Sequence, residues 1–293
     1  MYEDYLYLLV FPVLVLGLVG VGDWLARRME PVSLSERLGL SFAAGTMVLA
    51  LAVTILSIFH MLRTTPAWIG VIVFASEGVY WAIHHGPGIG KEIRDAFSRQ
   101  FGAQRILLIV CLIVCAINAW FCLSPEIRHD PYDYHLTVAN LYTVSEGIVE
   151  IPWHVFTYMP KYGEMLYAFM LLFGPDILGK LLHWSAGVAV ILLTAGMGTR
   201  IGGRTVGWIS AFLAATLPLL SYLSTTCYVD LFVAMWSLAG IDCVLLAIHD
   251  RIRHSEERSD VGISASKSTE ERSPHFVRDD GGARPLRFGA KKG

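Results

Sequence analysis

The stretch RILLIVCLIVCAINAWFCLS, residues 105–124, decides the class of this fold. After Arg105 it contains no charged residue, and a helix needs roughly 20 mostly apolar residues to cross the hydrocarbon core of a membrane. Comparable apolar runs occupy residues 5–24, 38–60, 67–84, 176–198, 205–224 and 230–249. We therefore predict an all-α, polytopic membrane helix bundle with about seven transmembrane helices.

The composition of the whole chain supports this class. Hydrophobic residues make up 54% of the 293 residues, charged residues make up 16%, and the mean hydropathy is +0.52. A soluble globular domain has fewer apolar and more charged residues. The net charge of −2 predicts no nucleic-acid partner, and the five cysteines lie in apolar runs without the spacing of metal ligands.

The basic residues divide unequally between the two sides of the predicted bundle. One side collects nine, and the other collects only Arg63, Arg128, Lys161 and Lys180. Loops rich in lysine and arginine stay in the cytoplasm. We therefore predict an integral membrane protein with its N-terminus and residues 125–175 at the outer face.

Three regions follow from the spans and the polar segments. Residues 1–104 form an N-terminal membrane extension of three helices, and residues 105–249 form a transmembrane core with the outer loop 125–175. Residues 250–293 are rich in Ser, Arg and Gly and poor in aliphatic side chains, which predicts a disordered cytoplasmic tail. Within the loop, YGEMLYAFMLLFG (residues 162–174) is too short to cross and is predicted to be an interfacial half-helix.

The outer loop begins with EIRHDPYDYHLTVANLY, residues 126–142, which places His129, Asp130, Asp133 and His135 within seven positions. Local rules predict a helix with Asp130 as its N-cap, Pro131 at its first position and Gly147 as its stop. The two acids also face the same side of a helix, where one can accept a proton while the other orients the acceptor. Both interpretations stay open.

A metal site is a further alternative for this cluster. Its spacing matches no standard ligand motif, so we predict no cofactor and assign no metal ligand, although a divalent metal remains compatible with these residue types. Asp230 begins the last apolar run, either as a helix cap or as an acid that lines an outer cavity. Asp23, Glu77 and Asp242 lie in apolar runs, as a transporter would require, but Asp23 and Asp242 can pair near span ends. For Glu77 a neutral, hydrogen-bonded carboxyl is the simpler interpretation.

From Pro125 to about Ala247 the order of features resembles the N-terminal half of GT-C-type membrane glycosyltransferases, the superfamily of protein O-mannosyltransferases and lipid A aminoarabinose transferases. The features are RHDPYDYHL, MPKYGEMLYAFMLLFGPDILGKLLHW, GTRIGGRTVG and ISAFLAATLPLLSYLSTTCYVDLFVAMW. In bacterial relatives the comparable loop commonly contains YDALTYHL. Alignment on Tyr134, His135 and Leu136 places the family's acid on Asp130, with Asp133 as an additional acid.

The resemblance implies inverting transfer of a sugar from a polyprenyl-phosphate donor to a lipid, glycan or protein acceptor at the outer face. Membrane lipids would be further partners. Asp130 would be the general base, with Asp133 beside it and Asp230 as a second acid of the site. The candidates for substrate binding are His135, His154, Tyr158 and Lys161, and Lys161 is displaced from the lysine that relatives carry before a Pro-Pro pair.

Relatives continue through several further spans, so we expect this chain to be a truncated or split transferase. Two other functions remain as hypotheses. Glu77 within a span motivates a transporter or channel-like subunit. The abrupt change at residue 250 motivates a non-catalytic remnant or scaffold.

Overall fold

The computed structural model describes residues 7–31, 33–98, 102–248 and 251. Of these residues 84% are helical and none lies in a strand, which confirms the predicted all-α class. The chain divides between Ala247 and Ile248, and every element discussed below belongs to the first unit apart from the last residue of the final helix. The predicted tail lies outside the described residues except for Arg251.

Six helices in the described part of the chain are long and apolar enough to cross a membrane, so this is an integral membrane protein. They are α1 (Val10–Ala26), α2 (Leu34–Ile58), α3 (Thr64–Ser98), α4 (Gly102–Cys122), α7 (Asp176–Ala215) and α9 (Asp230–Ile248). Three shorter helices complete the chain order: α5 (Leu136–Val144), α6 (Tyr162–Leu171) and α8 (Pro218–Ser224).

A chain reversal inside α7 explains why six long helices stand where seven crossings are predicted. The backbone is non-helical at Gly202–Gly203, and the second glycine has φ +76°, which only glycine adopts readily. The arms 176–201 and 204–215 run antiparallel, since residues on the two sides of these glycines lie next to each other. A Cβ atom placed on Gly198 would be 2.6 Å from the Ser210 hydroxyl. The sixth predicted run is therefore present but discontinuous, since it consists of the second arm and α8.

The helices α2 and α7 form the centre of the bundle. The helix α1 packs between α2 and α3, and α4 packs against α7. Glycines let α1 and α2 approach closely, because a Cβ atom on Gly45 would lie 1.9 Å from the backbone oxygen of Leu18. The peripheral helices α3 and α4 leave large apolar side chains such as Ile72 and Trp120 exposed, as helices that face lipid do.

The short helix α6 is enclosed by its neighbours. Every residue from Gly163 to Met170 is buried, and α2, α5 and α7 all contact the helix. The Tyr167 ring lies 5.8 Å from the Phe232 ring, which adds α9 to this shell. The predicted half-helix is therefore present, but its neighbours cover the face that an interfacial helix would turn to lipid.

Candidate functional site

The loop that carries the predicted acids is fixed at its start by Glu126. This side chain is buried, and one carboxylate oxygen accepts the backbone N–H groups of Ile127 and Arg128 at 2.9 and 3.0 Å. The other oxygen accepts the N–H of Cys227 at 2.7 Å. Amide donors of this kind satisfy a carboxylate that has lost its water. Glu126 therefore ties the start of the loop to the segment just before α9.

Residues of α7 complete this attachment. Lys180 is 3% exposed, and its ammonium group donates to the backbone oxygen of Ser124 at 2.9 Å. Asp176 accepts the backbone N–H of Glu126. Burial, together with the negative charges of Glu126 and Asp176, raises the pKa of the Cys227 thiol well above its ordinary value. Cys227 is therefore a protonated thiol and is not a candidate nucleophile.

Asp130 does not cap its own helix. The helix begins at Pro131 without a side-chain hydrogen bond from its N-cap, and the Oδ2 atom of Asp130 accepts from the Tyr228 hydroxyl at 3.2 Å. The Oδ1 atom lies 3.5 Å from Nδ1 of His129, and the side chain is 45% exposed. The prediction of an N-cap is wrong because a tertiary partner 98 residues away binds the carboxylate instead.

The first turn after Asp130 is a π turn over Pro131–His135, which continues directly into α5. The hydroxyl of Thr137 donates to the backbone oxygen of Tyr132 across this turn. Such widened turns occur frequently at functional sites. The turn therefore gives the acids a spacing that the helical pattern of the sequence does not predict.

The end of α5 also differs from the prediction. The helix ends at Val144, and Glu146 rather than Gly147 takes the left-handed conformation, with φ 57°. Gly147 instead permits a close approach, since a Cβ atom there would lie 2.4 Å from the backbone oxygen of Ser57. The glycine therefore fixes the loop against α2.

Asp133 and His154 form an acid–histidine pair at the surface of the loop. The Oδ2 atom of Asp133 lies 3.5 Å from Nε2 of His154, with the two side chains 43% and 24% exposed. The Phe156 ring packs 5.6 Å from the imidazole and 4.7 Å from the Tyr134 ring. The sequence predicted both members as site residues, and the structure brings them together.

Tyr134 lies among aromatic side chains of the loop and is affected by several of its acids. Burial raises the pKa of Tyr134, and the charges of Asp130, Asp230, Glu164 and Asp133 raise it further. The Tyr134 ring lies 4.2 Å from the His135 ring and 6.0 Å from the ring of His154, the partner of Asp133. Asp230 is exposed at the first residue of α9, and its carboxylate accepts no hydrogen bond among the described residues.

Glu164 is a residue of this region that the sequence analysis missed. It is 2% exposed, and its Oε1 atom lies 2.9 Å from Nδ1 of His135 and 3.4 Å from Nζ of Lys161. The lysine also donates to the backbone oxygen of Phe156 at 2.6 Å. The Glu164 carboxylate therefore balances the charge of Lys161 inside the protein. In the sequence, only the i, i+3 spacing of the two residues indicated this contact.

Arg128 is a second residue that the sequence analysis did not select for the site. Its guanidinium group lies 4.9 Å from the centre of the Tyr222 ring, and its side chain is exposed. Tyr158, a predicted substrate-binding residue, is also exposed, in the 3-10 turn Val155–Tyr158. Within the described part of the chain, no group of three or more His, Cys, Asp and Glu side chains is placed to hold a metal ion.

We call this region the loop end and the opposite end of the bundle the arginine end. At the arginine end, Asp23 accepts hydrogen bonds from Arg27 at 2.7 Å, from Arg37 at 2.6 Å and from Trp81 at 2.7 Å. Asp242 forms an ion pair with Arg200. The prediction that Asp23 and Asp242 each have a pairing partner near a span end is confirmed.

Glu77, the third acid of the transporter hypothesis, differs from both. It is half-buried in the middle of α3, and its carboxyl group forms no hydrogen bond or ion pair among the described residues. The hydrogen-bond partner predicted for a neutral Glu77 carboxyl is therefore not found in the described part of the structure.

No protein-family model, curated protein or solved structure matches this chain. The resemblance to GT-C-type glycosyltransferases thus stays a prediction. The geometry itself establishes an integral membrane helix bundle whose loop end gathers partly exposed acids with histidine, tyrosine and arginine side chains.

Proposed function

We propose that the protein transfers a sugar from a polyprenyl-phosphate donor to an acceptor hydroxyl, as a GT-C-type membrane glycosyltransferase. The observation that carries the proposal is the state of Asp130. Its carboxylate is half-exposed, one oxygen is held by Tyr228 and the other faces a histidine at 3.5 Å. A general base needs this combination of a fixed position and an oxygen that remains able to accept a proton.

In the proposed reaction Asp130 accepts the proton of the acceptor hydroxyl while that oxygen attacks the anomeric carbon of the sugar. The bond between this carbon and the phosphate oxygen breaks, and the polyprenyl phosphate leaves with the bonding electrons. Attack from the opposite face inverts the configuration at the anomeric carbon. Asp133, which is paired with His154, and Asp230, two residues after Tyr228, would orient the acceptor.

Arg128 is better placed than Lys161 to bind the donor phosphate. A guanidinium group can donate two parallel hydrogen bonds to a phosphate, and stacking on an aromatic ring limits its motion. Arg128 has such a ring in Tyr222, its backbone N–H is held by Glu126, and its side chain is exposed. The ammonium group of Lys161 is directed inward to Glu164 and a backbone oxygen.

The test is a transfer assay with the purified full chain in lipid, using polyprenyl-phosphate donors that carry radiolabelled sugars. We expect Asp130→Asn to slow transfer by about 100- to 10,000-fold, the usual contribution of a general base. Glu150→Gln is the matched control, because it neutralises another exposed acid of the same loop. Transfer at the wild-type rate by the Asp130→Asn protein would refute the proposal.

We further propose that the loop end faces the outside of a bacterial cytoplasmic membrane. The support is the excess of lysine and arginine on the predicted cytoplasmic side of the sequence, nine against four. A cysteine introduced as Glu150→Cys should react with a membrane-impermeant maleimide in intact cells. Labelling that requires lysis of the cells would reverse the orientation.

A further inference from the structure

We propose that Tyr228 is a positioning residue for Asp130, in which the phenol hydroxyl holds Oδ2 and leaves Oδ1 as the oxygen that accepts the proton. This inference rests on the proposed transferase function and adds to it a residue outside the loop. The two residues come from separate parts of the chain, since Asp130 precedes α5 and Tyr228 precedes α9. The hydrogen bond of 3.2 Å between them therefore joins the two segments of the site.

The backbone of Tyr228 is fixed on both sides by buried groups. Its carbonyl oxygen accepts the hydroxyl of Tyr167, a side chain that is fully buried. The N–H of the preceding residue, Cys227, donates to the buried carboxylate of Glu126. Both bonds are made to buried side chains of other segments, so they hold the backbone from which the phenol reaches Asp130.

The same support also fixes Asp130. Glu126 holds the backbone of Ile127 and Arg128, the residues just before His129 and Asp130. One buried carboxylate thus sets the distance between the two segments, and the phenol sets the rotation of the Asp130 carboxylate. The two roles are separable, because loss of the phenol hydroxyl leaves the bonds of Glu126 in place.

The Tyr228 hydroxyl remains a donor at every pH near neutrality. Burial raises its pKa above the ordinary value, and the hydrogen bonds with Tyr222 and Asp130 raise it further. A phenol with a raised pKa keeps its proton until the pH lies well above the ordinary range. The phenol therefore keeps the proton that it donates to Asp130 under the conditions in which transfer would be measured.

A carboxylate that accepts one hydrogen bond from the protein has a defined orientation and one oxygen free for substrate. Without the phenol, the half-exposed Asp130 side chain can rotate between its two oxygens and toward water. The acceptor hydroxyl would then meet the base in a smaller fraction of encounters. The effect belongs to the chemical step rather than to binding of the donor.

The first measurement compares the kinetics of Tyr228→Phe with those of the wild-type chain in lipid. We expect kcat to fall about tenfold or more while KM for the donor is unchanged. Tyr132→Phe is the matched control, because it removes a phenol hydroxyl from the loop that carries Asp130, where the structure describes no bond between that hydroxyl and Asp130. A Tyr228→Phe protein with unchanged kcat, or a control with an equal loss, would overturn the inference.

The second measurement is infrared difference spectroscopy, which does not depend on activity. The carboxylate band of Asp130 is assigned as the band lost in Asp130→Asn. We expect Tyr228→Phe to shift this band and Tyr132→Phe to leave it in place. An unshifted band overturns the inference even if transfer is observed, whereas a wild-type chain that transfers no sugar removes the proposed function while the band still reports the contact.

Discussion

The acids at the two ends of the bundle are held in opposite ways. At the arginine end, Asp23 and Asp242 are at most 1% exposed and are bound by guanidinium groups. At the loop end, Asp130 and Asp133 are almost half-exposed, and their partners are tyrosine and histidine side chains. Asp23 and Asp242 join helices to one another through their partners, whereas the carboxylate oxygens of Asp130 and Asp133 remain within reach of solvent.

This difference separates structural carboxylates from those that can react. A buried carboxylate bound by a guanidinium group is stabilised as an anion and lies out of reach of a substrate in solvent. A carboxylate with one neutral donor keeps acceptor capacity and can bind a further partner. The comparison therefore predicts that substitutions at the arginine end change stability, whereas those at the loop end change activity.

The largest effect on stability is expected for Arg200→Met. This change leaves the fully buried Asp242 carboxylate without its guanidinium partner, at a cost of about 3–5 kcal/mol. The measurement is an unfolding titration with a denaturing detergent in mixed micelles. Arg204→Met, which removes an exposed arginine of the same turn, is the control, and an equal loss in both variants would contradict the prediction.

A smaller loss is expected for Trp81→Phe. The indole N–H donates to the Asp23 carboxylate at 2.7 Å, and a hydrogen bond to a charged group contributes about 1.5–3 kcal/mol. The same titration measures the change. Trp120→Phe alters a tryptophan that is 74% exposed and should leave stability unchanged. Equal midpoints for Trp81→Phe and the wild type would show that the arginines alone hold Asp23.

Asp130→Asn should change stability least among the paired acids. Its side chain is half-exposed, and its neighbours are one hydroxyl and an exposed histidine, so the midpoint of thermal unfolding should stay within about 2 °C of the wild type. Circular dichroism in detergent measures this midpoint. A drop as large as that of Arg200→Met would make Asp130 a structural residue and would remove the contrast between the two ends.

Glu77 belongs to neither class, and Glu77→Gln tests the transporter hypothesis. Its carboxyl group has no partner among the described residues, so the substitution should leave the unfolding titration unchanged. Proton flux across proteoliposomes should be the same for both proteins. A flux that the wild type supports and the variant abolishes would favour a transporter over the transferase.

Local sequence patterns predicted the fold better than the site. The apolar runs gave the long helices, because hydrophobic length is a local property of the chain. The reversal at Gly202–Gly203 was marked by a basic, glycine-containing loop between two runs. The enclosed position of α6 was not visible, because burial of a short helix depends on partners from α2, α5 and α7.

At the site, the structure brings together some of the predicted residues, such as Asp133 and His154, but several of their partners were missed. Local rules predicted that Asp130 would cap its helix, and the actual donor is Tyr228 from the segment before α9. Glu126 and Glu164 have no distinctive pattern in the sequence. Their roles come from contacts with Cys227 and His135, which lie 101 and 29 residues away along the chain.

The π turn over Pro131–His135 has a consequence for chain length. A π turn accommodates one residue more than an α-helical turn, so the segment between Asp130 and α5 is one residue longer than a regular helix requires. Deletion of Tyr132 would let the turn wind as an ordinary α-helix. One residue can thus be removed from this segment without a change in the helical register of α5.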